Sequence, residues 1–393
     1  PTIHSALAKN AFAMERSALV NPSRNRSFDE WDESDVRVRP NKKGSRPRTK
    51  ERPRYKHAIR GRVVTVDRGR WSVVVDEGTP QERTLIAARA RELRRTPIVT
   101  GDFVDVVGDI SGAKDTLARI VRLGERSSVL RRSADDTDTT ERVVVANANQ
   151  LVIVVAAANP QPRTGFIDRA VVAAYDAGIE PILCITKTDV SHPQQLLDYY
   201  SASGLKIVLS GSADGRAPSE SGAEGLLHAP VHKLLEELVG KVSVLLGHSG
   251  VGKSTLVNAL TGADRATGHV NAVTGRGRHT SSSALALQPV STPELHVPPG
   301  TWIIDTPGIR SFGLAHVPPE QVVQAFPDLA PGEQDCPKGC LHAAQAVDCG
   351  INTYVQAGKA GASGAARLDS LRKLLQVVPD EEADSDKELG ALV

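Results

Sequence analysis

Hydrophobic positions along the 393 residues fall into stretches of different spacing, and the spacing predicts different elements. From His57 to about Arg126 they come in short runs of strand length. Arg60–Val66 and Trp71–Val75 alternate or run apolar, with Asp67-Arg68-Gly69-Arg70 as the turn between them. Thr84–Ala87, Phe103–Val107 and Leu117–Leu123 continue the series, with a short helical stretch near Ala88–Arg94. Five short strands within about 70 residues predict a small barrel, most economically an OB-fold. Such barrels bind oligonucleotides in some proteins and only hold domains together in others.

From Glu141 to Phe312 the pattern changes to strands alternating with helices. Leu151–Ala156 predicts a buried strand, and Phe166–Ala177 has helical spacing ended by Gly178. Pro181–Ile185, Val242–Leu246 and Thr301–Ile304 predict further strands, and Lys253–Leu260 a helix. This alternation predicts a mostly parallel sheet covered on both faces. The Ser/Gly/Glu-rich stretch Ala213–Gly225 reads as a surface insertion. Near the end, Ala366–Leu375 puts Leu368, Leu371, Leu374 and Leu375 on one helical face. Arg367, Arg372 and Lys373 fall elsewhere on that helix, where they could meet RNA.

Composition adds a size and a charge pattern. The length suggests two or three domains, and 40% hydrophobic with 24% charged residues is ordinary for a globular protein. A formal charge of +2 conceals segregation. Arg37, Arg39, Lys42, Lys43, Arg46, Arg48, Lys50, Arg52, Arg54 and Lys56 crowd one stretch, relieved only by Glu51. The far end carries Asp380, Glu381, Glu382, Asp384, Asp386 and Glu388, and beyond Pro379 it reads as disordered. Residues 1–56 lack hydrophobic periodicity and read as a mostly disordered extension, either a solvated tail or a nucleic-acid arm. No apolar stretch reaches the roughly 18 residues that cross a bilayer, and Pro1–Asn21 lacks the layout of a signal peptide. A cytoplasmic protein without a membrane partner is expected.

The chemistry begins with Gly247-His248-Ser249-Gly250-Val251-Gly252-Lys253-Ser254, a complete P-loop between a predicted strand and a predicted helix that starts with Thr255. Its glycines let backbone N–H groups turn inward around phosphate oxygens, and the helix N-terminus adds partial positive charge. Lys253 is expected on the β- and γ-phosphates and Ser254 on magnesium. Asp305-Thr306-Pro307-Gly308 follows the strand Thr301–Ile304. Asp305 is suited to the magnesium shell, and the Gly308 N–H to the γ-phosphate. Thr186-Lys187-Thr188-Asp189 closes Pro181–Ile185. Asp189 can accept from guanine N1–H and the exocyclic amine, donors that adenine lacks, so a buried carboxylate would reject ATP. Lys187 would lie along the base and ribose. Thr186 stands where most GTPases have Asn and should support the base less well. Ser210 and Gly211 complete the expected nucleotide contacts.

Gly275–Ser281 lies between the P-loop and Asp305, as a switch segment does, although it also reads as an ordinary basic loop. Thr280 is placed to close on magnesium and γ-phosphate. Ile309 occupies the position where many GTPases carry the glutamine that orients water. His279 is the nearest polar candidate for that task, with a bystander loop histidine as the alternative. Slow intrinsic turnover with partner stimulation is expected. Cys336, Cys340, His342 and Cys349 form a Cys₃His set suited to one structural, tetrahedral zinc ion, the alternative being reduced cysteines beside a surface histidine. Cys184, inside an apolar strand, reads as core.

The base motif at Asp189 precedes the P-loop at Gly247, the reverse of the ordinary GTPase order, so the chain is circularly permuted. With a five-stranded barrel before these motifs and the Cys₃His set after them, the chain resembles the ribosome-small-subunit-dependent GTPase A family of bacteria from about residue 57 to 375. The resemblance implies a multidomain protein: basic extension 1–56, OB-fold β-barrel 57–126, circularly permuted α/β P-loop GTPase domain 127–316, and helical zinc-binding domain 317–393 with an acidic tail. It further implies a cytoplasmic GTPase, expected to be a monomer, whose partners are GTP/GDP, the small ribosomal subunit and its rRNA. GTP hydrolysis would serve late subunit assembly and be stimulated by the subunit. The family's proposed switch histidine maps to His279. Thr186 departs from the family's usual Asn, and the basic extension is longer than in many relatives. The cysteine spacing is one residue shorter between the first pair and one longer before the last. Two other readings remain: an RNA-binding assembly chaperone using nucleotide as a conformational ligand, which Ile309 favours, and a P-loop ATPase or kinase.

Overall fold

Continuous runs of β-branched and aliphatic residues make strands that must be buried on both faces, and the molecule is arranged to do this. A computed structural model describes residues 55–132, 142–211, 230–263, 284–306, 312, 314 and 316–375. The strands β1 (Ile59–Asp67), β2 (Arg70–Val75), β3 (Arg83–Arg89), β4 (Phe103–Gly108) and β5 (Ala118–Leu123) close on themselves. Their pairing runs β1-β2-β3-β5-β4 and returns from β4 to β1, with β3–β5 parallel and the other pairs antiparallel. This is the expected five-stranded barrel. Val63, Trp71, Val73, Val75, Leu85, Val104, Val106 and Ile120 fill it. The expected helical stretch shrinks to one 3₁₀ turn, Arg91–Leu93.

A hairpin, β6 (Val129–Arg132) with β7 (Arg142–Ala146), leads from the barrel into the second sheet. That sheet contains β8 (Gln150–Ala156), β9 (Glu180–Thr186), β10 (Lys206–Leu209), β11 (Val242–Leu246), β12 (Leu285–Leu287) and β13 (Trp302–Asp305). Their order is β10-β9-β8-β11-β13-β12, all parallel except β12. Alternation sends Leu151, Ile153 and Val155 to one face and Val152, Val154 and Ala156 to the other. Both faces find cover, which is why the run is apolar throughout. Helix α1 (Thr164–Asp176) packs the first face. The opposite face is covered by the helix α3 (Pro230–Leu238) and the helix α4 (Lys253–Thr261); α2 (Gln194–Tyr200) joins β9 to β10. The sheet does not stop at the barrel: β12 also pairs with β1 at Thr65↔Leu285, so eleven strands are continuous.

The C-terminal helices α5 (Pro319–Gln324), α6 (Gly350–Gln356) and α7 (Gly364–Leu374) join the α1 face. Here the structure corrects an expectation. Leu368, Leu371 and Leu374 are buried as predicted, but so are Arg367 and Arg372, so of the three basic residues that could meet RNA only Lys373 is exposed. Arg367 forks Asp328 at 2.8 and 2.9 Å and reaches Asp168 of α1 at 2.7 Å. Arg372 donates to the His342 carbonyl at 2.9 Å and to the Asn352 side chain. The two guanidinium groups are internal struts between the C-terminal helices, α1 and the cysteine loop. The expected disordered extension before Tyr55, the insertion Ala213–Gly225 and the acidic end lie outside the described residues.

Candidate functional site

In an open α/β sheet, ligands bind at the carboxyl ends of the parallel strands, where loops diverge. Four of the predicted motifs sit at that edge. β11 runs into the P-loop, where Gly250 (φ +82°) and Gly252 (φ +90°) adopt the left-handed backbone that other residues avoid. At Gly247 a Cβ would stand 2.6 Å from the Val154 carbonyl oxygen, so the loop can leave its strand only through glycine. Lys253 and Ser254 then open α4. The adjacent strand β13 delivers Asp305, and Lys253 Nζ forms an ion pair with its Oδ1 and approaches the Thr306 carbonyl at 3.4 Å. Thr306 Oγ1 ties back to the Leu245 carbonyl at 2.7 Å, locking β13 to the P-loop strand.

On the other side, β9 ends in the base motif. Thr186 is buried, and its hydroxyl lies 2.5 Å from the Val251 carbonyl and 3.2 Å from that of Val155. The residue expected to weaken the base site therefore ties the base motif to the P-loop. Lys187, at φ +56°, donates to the Asn159 carbonyl, which fixes its stem beside the loop after β8. Asp189 is exposed rather than buried as expected. Ser210 N donates to the Ile185 carbonyl at 2.7 Å, which brings the end of β10 beside the motif. A Cβ on Gly211 would meet Thr188 Oγ1 at 2.4 Å and Asp189 Oδ1 at 3.0 Å, so only glycine lets this chain pass the carboxylate so closely. Asp189 follows β9 and Lys253 follows β11, the two strands that flank β8, although 64 positions separate them in sequence. Gly308, His279 and Thr280 lie outside the described residues, as does Ile309.

Sequence reasoning did not anticipate one more contact. The ring of His248, in the P-loop, packs on Phe166 at the start of α1, with centroids 4.3 Å apart and planes at 50°. The residues are remote in sequence, and a histidine in a P-loop carries no local signal of an aromatic partner.

The cysteine cluster assembles independently of this edge. Ligand atoms of Cys336, Cys340, His342 and Cys349 lie within 4.8 Å of one another. Cys336 Sγ is 3.6 Å from His342 Nδ1 and 4.0 Å from Cys349 Sγ, and Cys349 Sγ is 3.7 Å from the same nitrogen. Zn–S bonds of about 2.3 Å and Zn–N bonds of about 2.0–2.1 Å at tetrahedral angles put ligand atoms about 3.5–3.8 Å apart, so the set fits zinc. The Gly350 N–H points to Cys336 Sγ at 3.2 Å and the His342 N–H to Cys340 Sγ at 3.4 Å, support that favours thiolates. Burial pushes the Cys336 thiol up to about 11 and lowers the His342 imidazole. At neutral pH the imidazole can offer a lone pair, while the Cys336 thiol would release its proton to solvent on binding a cation. Cys184 is fully buried and its thiol is raised to about 12, in keeping with a core role.

A family model described as RsgA GTPase matches residues 123–315. A Pseudomonas aeruginosa protein named small ribosomal subunit biogenesis GTPase RsgA is 33% identical over 293 residues, covering 72% of this chain and 77% of its own. A Gemmatimonas aurantiaca protein of the same name is 33% identical over 304 residues, covering 76% of this chain and 91% of its own. Among solved structures, YjeQ from Thermotoga maritima superposes with a TM-score of 0.55 at 23% identity, covering 81% of this chain and 99% of that one. YloQ, described as a circularly permuted GTPase, superposes at 0.56 with 20% identity, covering 84% and 99%.

Proposed function

The chain belongs to the RsgA GTPase family, and from that premise we propose that it binds the small ribosomal subunit and hydrolyses GTP to GDP and phosphate during late subunit assembly, with the subunit stimulating turnover. The observation that carries the reading is the meeting of Thr186 with Val251, which brings guanine-reading and phosphate-holding motifs together across a permuted sequence.

In this reading Asp189 accepts from guanine N1–H and the exocyclic amine, Lys187 lies along the base, and Ser210 and Gly211 close the base loop. The P-loop N–H groups of residues 247–255, Gly247, His248, Ser249, Gly250, Val251, Gly252, Lys253, Ser254 and Thr255, surround the phosphates. Lys253 exchanges its pairing with Asp305 for phosphate oxygens. Asp305, Ser254 and Thr280 would hold the magnesium ion that accompanies GTP. Magnesium supplies charge neutralisation at the phosphate oxygens. Gly308 donates to the γ-phosphate and His279 orients the water. Cys336, Cys340, His342 and Cys349 hold one structural zinc ion, which stiffens a loop that α7 braces. The basic extension, the barrel and the zinc module supply the rRNA surface.

Steady-state GTP hydrolysis measured with purified small or large ribosomal subunits tests this. Stimulation by the small subunit alone is expected, by at least about tenfold, on the scale of a partner completing a GTPase site. Equal turnover with either subunit, or with none, would refute the assignment of the partner.

A further inference from the structure

We propose that Thr100, a barrel residue, is a positioning residue for GTP hydrolysis: its hydroxyl pins the start of β12, and through β12 the strand that carries Asp305. The inference rests on the nucleotide-site reading above.

Thr100 is buried and lies between the 3₁₀ turn and β4. Its Oγ1 donates to the Ala284 carbonyl at 2.9 Å, across 184 positions of sequence. Ala284 is the residue before β12. The next residue, Leu285, stands opposite Thr65 of β1 on one side and opposite Asp305 of β13 on the other. Asp305 in turn stands opposite Leu245, two residues before the P-loop begins. One row of paired residues therefore crosses from the barrel to the phosphate site. β12 is three residues long and meets β1 at a single register position, so few ladder bonds hold its start. Beyond the pairing of β12 with β13, the Thr100 hydroxyl adds a direct tie from the barrel to that start.

The hydroxyl is also held rigidly. Gly101 N donates to the Val63 carbonyl at 2.8 Å, and the Thr100 carbonyl accepts from Ala146 N of β7 at 3.1 Å. Gly101 takes φ +91°, where a Cβ would stand 2.0 Å from the Ala146 carbonyl oxygen. The buried Asp102 carboxylate accepts from Val99 N at 2.8 Å and from Arg126 at 2.7 and 2.8 Å. With barrel strand, hairpin and ion pair all fixing this segment, the hydroxyl acts as a fixed hook, and Ala284 is the group that must conform. A residue that served stability alone would affect nucleotide binding and hydrolysis together. One that sets the register opposite Asp305 should act on the step that uses the magnesium side of the site.

The test uses the full chain with Mg·GTP and compares Thr100→Val, Thr100→Ala and Thr100→Ser. Loss of the hydroxyl in Val or Ala is expected to lower kcat by about 3–10-fold while KM for GTP and the affinity for GDP stay within about twofold. Ser, which keeps the donor, should retain wild-type turnover. Unchanged kcat in Val and Ala overturns the proposal, as does an equal loss in Ser or a fall in GDP affinity that parallels kcat. If neither Val nor Ala gives folded protein, Thr100 is a folding determinant and the proposal fails. A wild-type chain that binds neither GTP nor GDP would sink the nucleotide-site reading itself, an outcome distinct from all of these.

Discussion

Thr186 shows how a single side chain can carry a contact that its type alone does not announce. Lacking a carboxamide, it looked like a poorer partner for the base. In the fold its hydroxyl meets the Val251 carbonyl, joining the base motif to the P-loop. A buried carbonyl that loses such a donor costs roughly 1–3 kcal/mol. Thr186→Val is therefore expected to weaken GTP and GDP binding alike, by about 5–100-fold, with kcat at saturation little changed. Titration with fluorescent GTP and GDP analogues reads this directly. A loss confined to GTP would contradict a tether that serves base and phosphate sites equally. The P-loop, Asp305 and the base motif were legible at this scale because each is a short local pattern whose glycines and charges are dictated by phosphate and guanine. The Thr186–Val251, Lys187–Asn159 and His248–Phe166 contacts were not, since none of the residues departs from what its own neighbours allow.

At the scale of elements, strands with alternation or unbroken apolar runs were readable: β1 to β5, β8, β9, β11 and β13 lie close to their expected bounds. The hairpin β6–β7 and the short β10 and β12 escaped because no motif follows them, as the P-loop follows β11 and the Asp305 motif marks the end of β13, and tertiary pairing decides them. Helix α7 was found, but its polar face was misread. Arginine spacing on a helix gives no hint of carboxylates 39 and 199 positions away. Burial raises the Asp168 carboxyl above its usual range while Arg367 opposes the shift. Arg367→Met would leave Asp168 and Asp328 buried without their cation, at a cost of about 3–5 kcal/mol in denaturant unfolding. The sign of the pH dependence follows from the folded variant holding carboxyl protons that the unfolded chain releases above about pH 4. Its stability deficit should accordingly be smaller at pH 5 than at pH 8. A deficit below about 1 kcal/mol, or one that grows on acidification, would show that the fork is not a strut.

For the whole molecule, the decisive facts are the permuted order and the sheet that continues from barrel to nucleotide edge. Among the described residues no helix is long and apolar enough to cross a membrane. The charge segregation gives a prediction of its own. Removing residues 1–56, which carry the run Arg37 to Lys56, should weaken binding to small subunits and make it less sensitive to salt. Binding measured from about 50 to 200 mM salt would reveal a shallower log–log slope in the shortened chain. An unchanged slope would mean that these side chains do not meet phosphates.

The order of the strands also has a consequence for how the polypeptide is made. β8 leaves the ribosome well before β11, its neighbour in the finished sheet, because residues 157–241 must be synthesised between them. Until then the edge of β8 that will pair with β11, Gln150–Ile153, lacks its partner strand, and an unpaired strand edge is a template for wrong pairings. Translation that stalls before Val242 would release an adhesive fragment, and the P-loop strand is the piece that seals it.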